Sequence, residues 1–140
     1  MALTRQEREQ FLALPHIGAL AVTGEPGRAP LTVPIWYDYT PGGELWLITG
    51  PTSKKMTLLE TAGRFSLMVE QVEPTVRYVT AEGPITRVTP VDDALHEAMV
   101  HRYLPPDKAA AYLKQAESYG EQAAVYMRPE HWLSADLGSL

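Results

Sequence analysis

The segment that follows Gly50 combines residue types that bind phosphate groups. Thr52 and Ser53 precede two consecutive lysines, Lys54 and Lys55, at the predicted start of a short helix. A helix N-terminus offers backbone N–H groups without intrahelical partners and the positive end of the helix dipole. Lysines at that end oppose the dipole, and a bound anion would explain their presence. A capped helix with solvated lysines is the competing interpretation, because lysine side chains are mostly exposed in proteins.

Two arginines are further candidates for contacts with a ligand. Arg28 lies just after a turn rich in glycine and proline, where it could reach a phosphate or remain solvated. Arg77 precedes Tyr78 in a predicted strand, and it could contact a ligand or pair with Glu70 or Glu82 on the sheet face. The residues alone leave both alternatives open for each arginine.

Aromatic side chains are concentrated on two neighbouring predicted strands, at Trp36, Tyr37, Tyr39 and Trp46. Most clusters of this kind belong to a protein core. Trp36, however, falls on the face opposite the apolar stripe that alternation predicts for its strand. Apolar side chains on both faces of a strand require a cover on both sides. We therefore predict that a partner subunit or a flat ring ligand covers Trp36, which favours an oligomer.

The composition excludes several classes of function. The chain has no cysteine, which rules out disulfides and thiolate metal sites, and its formal charge of −5 disfavours a nucleic-acid partner. Its four histidines are scattered, and the spacing of His96 and His101 does not place both on one helix face, so no metal site is predicted. No hydrolase, metalloprotease or nucleotide-binding motif is present, and no nucleophile–base pair stands out. The catalytic residues stay unknown, and a cofactor would have to supply the chemistry.

Targeting signals are also missing from the sequence. Residues 1–10 are charged and lack the apolar core of a signal peptide. The longest apolar stretch, residues 17–22, is far shorter than the roughly 20 residues that a membrane helix needs. We therefore expect a cytoplasmic protein without a membrane partner.

The pattern of elements predicts a single domain over residues 1–140. Helix starts are predicted at Thr4 and at Thr89-Pro90, and Gly63 is typical of a helix end. Alternation and short apolar runs bounded by turn residues predict strands over 17–23, 31–39, 44–49, 64–70, 76–88 and 122–127. Strands linked by tight turns are antiparallel, and about six of them suit a closed or nearly closed barrel with helices outside it.

Five successive segments together resemble the pyridoxamine 5′-phosphate oxidase-like superfamily of FMN-binding split barrels; they are residues 27–36, 45–49, 52–55, 64–69 and 77–83. The resemblance extends from about residue 11 to residue 135. It implies a mainly β fold, an antiparallel split β-barrel with peripheral helices. It also implies a homodimer that holds its cofactor between the two subunits.

The resemblance identifies candidate cofactor-binding residues. In the family, an arginine after the first turn, the backbone of the third strand and a basic pair at the next helix bind the cofactor phosphate. These positions correspond here to Arg28, to Ile48 and Thr49, and to Ser53 and Lys54.

The ring of the cofactor is expected over Pro34 and Trp36. Tyr78 occupies the position on the long strand that touches the ring in the family. Trp132 falls where the family often supplies a residue from the partner chain.

The C-terminal segment distinguishes between branches of the family. Residues 132–138 lack the arginine-rich signature for pyridoxal phosphate, so oxidation of vitamin B6 is not expected. The short length and this C-terminal segment resemble the branch that uses the deazaflavin coenzyme F420. F420 carries a longer acidic tail, which would suit both Lys54 and Lys55, whereas FMN needs a binding site for only one phosphate.

The resemblance implies a reductase that transfers a hydride from reduced F420 to a small conjugated organic substrate. Three alternatives remain. The first is an FMN-dependent oxidase or reductase of the same fold, and the second is a module that sequesters a flavin, haem or tetrapyrrole without turnover. The third is a dimeric barrel with an empty cleft.

Overall fold

The computed structural model describes residues 1–138, which form four α-helices, one short 3-10 helix and eight β-strands. The helices are α1 (Arg5–Ala13), α2 (Lys54–Ala62), α3 (Asp93–Tyr103) and α4 (Pro106–Ala116), and the 3-10 turn is Glu117–Tyr119. The strands are β1 (Gly18–Val22), β2 (Leu31–Ile35), β3 (Tyr37–Tyr39), β4 (Leu45–Thr49), β5 (Arg64–Gln71), β6 (Val76–Pro90), β7 (Ala123–Met127) and β8 (His131–Gly138). None of the helices within residues 1–138 is long and apolar enough to cross a membrane.

The strands form one antiparallel sheet in the order β2-β1-β5-β6-β7-β4-β3, with β8 added beside β6. The two ends of this order are joined covalently, because the chain passes from β2 to β3 through Trp36 alone. The long strand β6 connects the two halves: residues 77–84 pair with β5, and residues 85–90 pair with β7. This arrangement confirms the expected split β-barrel with peripheral helices.

Two strands are present beyond the six that alternation predicts. The predicted strand over residues 31–39 is divided at Trp36 into β2 and β3, which pair with different neighbours. Pro34, which cannot donate to a ladder, lies on β2 at the end of the strand order, as expected for an edge strand. Residues 131–138, which have no clear alternation in the sequence, form β8 along β6.

The core lies inside the curled sheet. Inward-facing side chains of β1, β3, β4, β5, β6 and β7 are buried there with apolar residues of α1 and α2. The fully buried members include Leu20, Leu47, Leu67 and Val79. At Gly83, where β6 changes partners, an added Cβ would collide with the backbone oxygen of Arg128, so the close approach of β6 to the β7–β8 connection requires glycine.

The helix boundaries follow local signals in most cases. The Thr4 side chain caps α1 in a capping box, and Gly63 ends α2 in the left-handed conformation with φ of 69°. The predicted start of α3 at Thr89-Pro90 is wrong, because both residues extend β6 and Asp92 caps the helix by accepting from the N–H of Leu95. Pairing of β6 with β7 continues to Pro90 and therefore delays the helix.

The opposite face of the sheet is half exposed. One row crosses five strands at matched register and consists of Pro34, Ala19, Met68, Thr80 and Leu133, which we call the outer row. Leu133 is 63% exposed although it is a large apolar residue. The outer row therefore offers a largely apolar surface on the outside of the barrel.

Candidate functional site

The two cations that the sequence assigns to a phosphate seat line the same groove. Arg28, from the turn before β2, and Lys54, from the first turn of α2, lie on the walls of a groove of about 290 Å³. Thr32 of β2 and Glu25 also line it. The carboxylate of Glu25 forms an ion pair with the ammonium group of Lys54, and both side chains are largely exposed. The groove thus holds two positive charges and one negative charge.

The start of α2 is held in place by hydroxyl groups. The Ser53 Oγ accepts a hydrogen bond from the Met56 N–H at 3.1 Å and lies 3.0 Å from the Thr49 Oγ1. Thr49 is buried, so this contact fixes the helix start against the end of β4. The backbone N–H groups of Lys54 and Lys55 donate to no acceptor within residues 1–138. Both interpretations of this segment are therefore compatible with its geometry: the helix is capped, and Lys54, whose backbone N–H is free, lines the groove together with Arg28.

The remaining residues of the predicted phosphate segment lie beside the groove. Thr52 is exposed in the turn before α2, and Lys55 is half-buried on its first turn. Lys55 forms no ion pair with the part of the chain that the structure describes. Neither residue lines the groove that contains Arg28.

A second cavity contains three other predicted site residues, Pro34, Trp36 and Ile48. It lies between the barrel and the helical pair α3–α4, and its volume is about 310 Å³. The Trp36 ring stacks on Tyr103 at 4.9 Å with an interplanar angle of 11°, and it lies 5.4 Å from the ring of Tyr112. The cover that we predicted from a partner subunit or a ring ligand is therefore supplied by α3 and α4 of the same chain.

Tyr78 and Trp132 are placed apart from both cavities. Tyr78 faces the outside of β6 between Glu70 and Ala135, about 14 Å from β2 because three strand spacings intervene. Trp132 points the other way and packs against the core, with the Arg8 guanidinium 4.7 Å from its ring. Within one chain, neither residue meets the groove between Arg28 and Lys54.

Arg77 has a structural partner that the sequence did not indicate. Its guanidinium lies 2.8 Å from the Asp136 carboxylate, which also accepts from Thr75. The predicted alternatives for its ion pair, Glu70 and Glu82, are wrong. Hydrogen bonding from Arg77 lowers the pKa of Asp136, which stabilises the ionised carboxylate. This pair depends on β8, the strand that alternation did not predict.

Sequence reasoning missed the residues that fix the helical pair. Arg102 donates to the backbone oxygens of Tyr37, Ala13 and Leu14 at 2.8–2.9 Å. The Tyr103 hydroxyl lies 2.7 Å from the His16 oxygen and 2.9 Å from the Tyr37 oxygen, and its single proton is shared between these two acceptors. Both phenols are protonated at neutral pH, and burial raises the pKa values of Tyr37 and Tyr103 further. No local spacing connects these residues to the segments they bind.

Comparison with known proteins identifies the family and the fold. The family model of pyridoxamine 5′-phosphate oxidase matches residues 4–132. Among solved structures, a conserved hypothetical protein from Mycobacterium tuberculosis aligns with a TM-score of 0.71 at 23% identity, covering 97% of this chain and 86% of the other. No curated protein matches the sequence.

Two further solved structures share this fold. One, called an F420 reductase, aligns with a TM-score of 0.69 at 21% identity, and the alignment covers 89% of this chain and 94% of the reductase chain. A FAD-binding protein from Mesorhizobium loti aligns with a TM-score of 0.63 at 19% identity, covering 97% of this chain and 96% of its own. The match of the family model over most of the sequence, on a split barrel, shows that the chain belongs to the pyridoxamine 5′-phosphate oxidase family of flavin-type cofactor-binding split barrels.

Proposed function

We propose that the protein binds F420 and transfers a hydride from the reduced coenzyme to a small conjugated organic substrate. The observation that carries this proposal is the groove that Arg28 and Lys54 line together at the start of α2. Cations and a helix N-terminus together favour a phosphate group. The solved F420 reductase of similar fold supports the choice of a deazaflavin.

The residues present fit an anionic cofactor that extends along β2. Thr32 lines the groove, and Pro34 follows two residues later on the same outer face, about 7 Å along the strand. A phosphate held by Arg28 and Lys54 would therefore leave the ring system beside Pro34. When bound, reduced F420 supplies a hydride, and the protein binds and orients it.

Glu25 modifies this fit. Its carboxylate neutralises Lys54 in the groove, so a bound phosphate must compete for the ammonium group. The pair is largely exposed, and such pairs contribute about 0–1 kcal/mol, so an anion can displace it at small cost. Glu25 therefore reduces the affinity of the groove for anions without blocking it.

An FMN-dependent oxidase or reductase is the second candidate, and one observation favours it. With Lys54 paired to Glu25, Arg28 is the cation lining the groove that has no ion pair within residues 1–138. One such cation matches the single phosphate of FMN. A module that holds a flavin or tetrapyrrole without turnover also needs a cation for the anionic group of its ligand. Assays for turnover distinguish such a module from an F420- or FMN-dependent enzyme.

We further propose that two chains associate through the outer row to form a homodimer. The row is largely apolar and half exposed, and Tyr78 lies on the same face. Association would bury Leu133 and bring Tyr78 of one chain towards the groove of its partner. Light scattering is expected to give twice the chain mass, and Leu133→Glu is expected to give monomers. Val88→Glu, at an exposed site in the other half of β6, is the control. A monomer in the unmodified protein would contradict this proposal.

The first experiment is a fluorescence titration of the purified protein with F420 and with FMN. We expect micromolar binding of F420 and weaker binding of FMN. Tighter binding of FMN, or a protein that is yellow when isolated, would favour the second candidate. Binding of neither cofactor would contradict the proposal that this groove serves a flavin-type group.

A further inference from the structure

The cavity between the barrel and the helical pair has no charged lining. Its walls come from β2, β4, α3, α4 and the segments that join them, and they include Trp36, Ile48, His96, Met99 and Tyr112. No lysine, arginine, aspartate or glutamate of residues 1–138 lines it. At about 310 Å³, it is as large as the smaller pockets that bind organic ligands. An uncharged compound is therefore the ligand class that suits these walls.

The aromatic wall of this cavity is held by contacts between rings. The Trp36 ring lies 4.9 Å from the ring of Tyr103 and 5.4 Å from the ring of Tyr112, and these contacts restrict the orientation of its indole. Tyr103 is itself anchored, because its hydroxyl lies within hydrogen-bond distance of two backbone oxygens and accepts from the Tyr37 N–H. A wall that is already ordered loses little conformational entropy when a ligand binds, and flat aromatic surfaces favour flat ligands.

Three ring side chains that line the cavity, those of His96, Tyr112 and Tyr119, carry polar groups that make no hydrogen bond within residues 1–138. Tyr119 is 50% exposed, whereas His96 and Tyr112 are half-buried and their rings meet edge to face at 6.4 Å. The Tyr112 hydroxyl is protonated at neutral pH and can donate, and burial raises its pKa further. A neutral imidazole can donate or accept. These groups could orient a ligand through one polar substituent.

The cavity and the groove are separate sites on the same strand. They share no lining residue, and the groove ends at Thr32 where the cavity begins at Pro34. Asp92, Asp93 and Glu97 line a neighbouring cavity together with His96, and their charges disfavour an anionic group near the imidazole. The acidic part of a cofactor therefore suits the groove, and an uncharged compound suits the cavity.

We propose that this cavity binds a flat, uncharged conjugated compound, with His96 and Tyr112 as hydrogen-bonding partners for its polar substituent. That this compound is the substrate rests on the reductase function proposed above, whereas its binding does not. The compound would lie next to Pro34, beside the place where the ring system of the cofactor is expected.

The test uses the protein without added cofactor, labelled with ¹³C at its methionine methyl groups. Met99 lines the cavity, and Met68 lies on the outer row as an internal control. The probes are 2-naphthol and naphthalene, which differ by one hydroxyl group. We expect a saturable shift of the Met99 signal with both probes and an unchanged Met68 signal. A missing or non-saturable Met99 shift would overturn the proposal.

Two variants test the polar contacts. His96→Phe and Tyr112→Phe keep a ring but lose a hydrogen-bonding group. Each is expected to weaken the binding of 2-naphthol about three- to tenfold and to change the affinity for naphthalene by no more than about twofold. His101→Phe, at an exposed site on α3, is the control and is expected to leave the affinity for both probes unchanged. Equal losses for both probes would overturn the assignment of the two polar groups.

Competition separates this proposal from the cofactor site. Saturation with F420 or FMN is expected to leave the Met99 response to 2-naphthol in place, and displacement of the probe would overturn the proposal by making the cavity the seat of the cofactor ring. If neither cofactor binds while 2-naphthol shifts Met99, the reductase function fails and the binding site stands.

Discussion

The double variant Arg28→Gln/Lys54→Gln is expected to weaken F420 binding by about a hundredfold or more. Hydrogen bonds to charged groups contribute about 1.5–3 kcal/mol each, and about 1.4 kcal/mol corresponds to a factor of ten in affinity. Both side chains line the groove from opposite elements, so both contacts are lost together. Each single substitution is expected to weaken binding about tenfold or more. Fluorescence titration at constant salt measures these changes, because contacts of this kind weaken as salt rises.

The same groove contains a residue whose substitution is expected to act in the opposite direction. Glu25→Gln frees the ammonium group of Lys54 and removes a negative charge from the groove, so F420 binding is expected to strengthen by up to about fivefold. Lys114→Gln, at an exposed position on α4, is the matched control and is expected to leave the affinity unchanged. Unchanged affinity in the double variant, with its fold intact by circular dichroism, would show that the phosphate does not bind in this groove.

The features that the sequence predicted well are those determined by neighbouring residues. Thr4 caps α1 because its side chain accepts from the N–H three residues ahead, and Gly63 ends α2 because it adopts a positive φ without strain. Alternation places Leu67 and Val69 of β5 in the core for the same local reason. Period and capping act over a few residues, so the sequence displays them directly.

The features that it predicted poorly depend on contacts between distant segments. Residues 131–138 form a strand because β6 offers them an unpaired edge, which no pattern within the segment reveals. The break at Trp36 has a similar origin, since β2 pairs with β1 and β3 pairs with β4, and the chain must change direction between them. In both cases the partner strand determines the conformation, and the local sequence only permits it.

The candidate site likewise has a part that the sequence predicts and a part that it does not. The sequence predicts that Arg28 and Lys54 bind one phosphate group. The fold places both in one groove because α2 begins near the turn before β2. The alternation of one strand shows that the side chain of Trp36 must pack against something, but it does not show which element does so. The prediction therefore named a partner subunit or a ligand. Tyr103 and Tyr112, which supply it, belong to helices whose packing on the barrel is a tertiary contact.

The substitution Arg102→Met is expected to lower the free energy of unfolding by about 3–5 kcal/mol. The Arg102 side chain is 14% exposed. Its guanidinium donates to three backbone oxygens, two of them at the end of α1, and contacts the Asp38 carboxylate at 3.1 Å. Methionine fills a similar volume but leaves the three acceptors and the carboxylate without their donor. Hydrogen bonds from a charged group contribute about 1.5–3 kcal/mol each where water is excluded, and partial exposure of Asp38 and Leu14 brings the sum down to about this much.

Denaturant unfolding followed by circular dichroism measures this loss, and an unchanged m value would show that the midpoint reports stability alone. Arg5→Met is the control, because Arg5 is 80% exposed and its pair with Glu9 is expected to contribute less than about 0.5 kcal/mol. Arg102→Lys keeps the charge but cannot donate to three oxygens in the geometry of a planar fork, so it is expected to restore only part of the stability.

The loss of stability is expected to be accompanied by a less ordered cavity wall, because Arg102 precedes Tyr103 on the helix that covers Trp36. Loosening α3 would free the aromatic wall, so near-UV circular dichroism is expected to weaken in Arg102→Met and to stay unchanged in Arg5→Met. A loss below about 1 kcal/mol would mean that water replaces the guanidinium at these oxygens. In that case the packing of Trp36 against Tyr103 and Tyr112, and not the arginine, would hold the helical pair on the barrel.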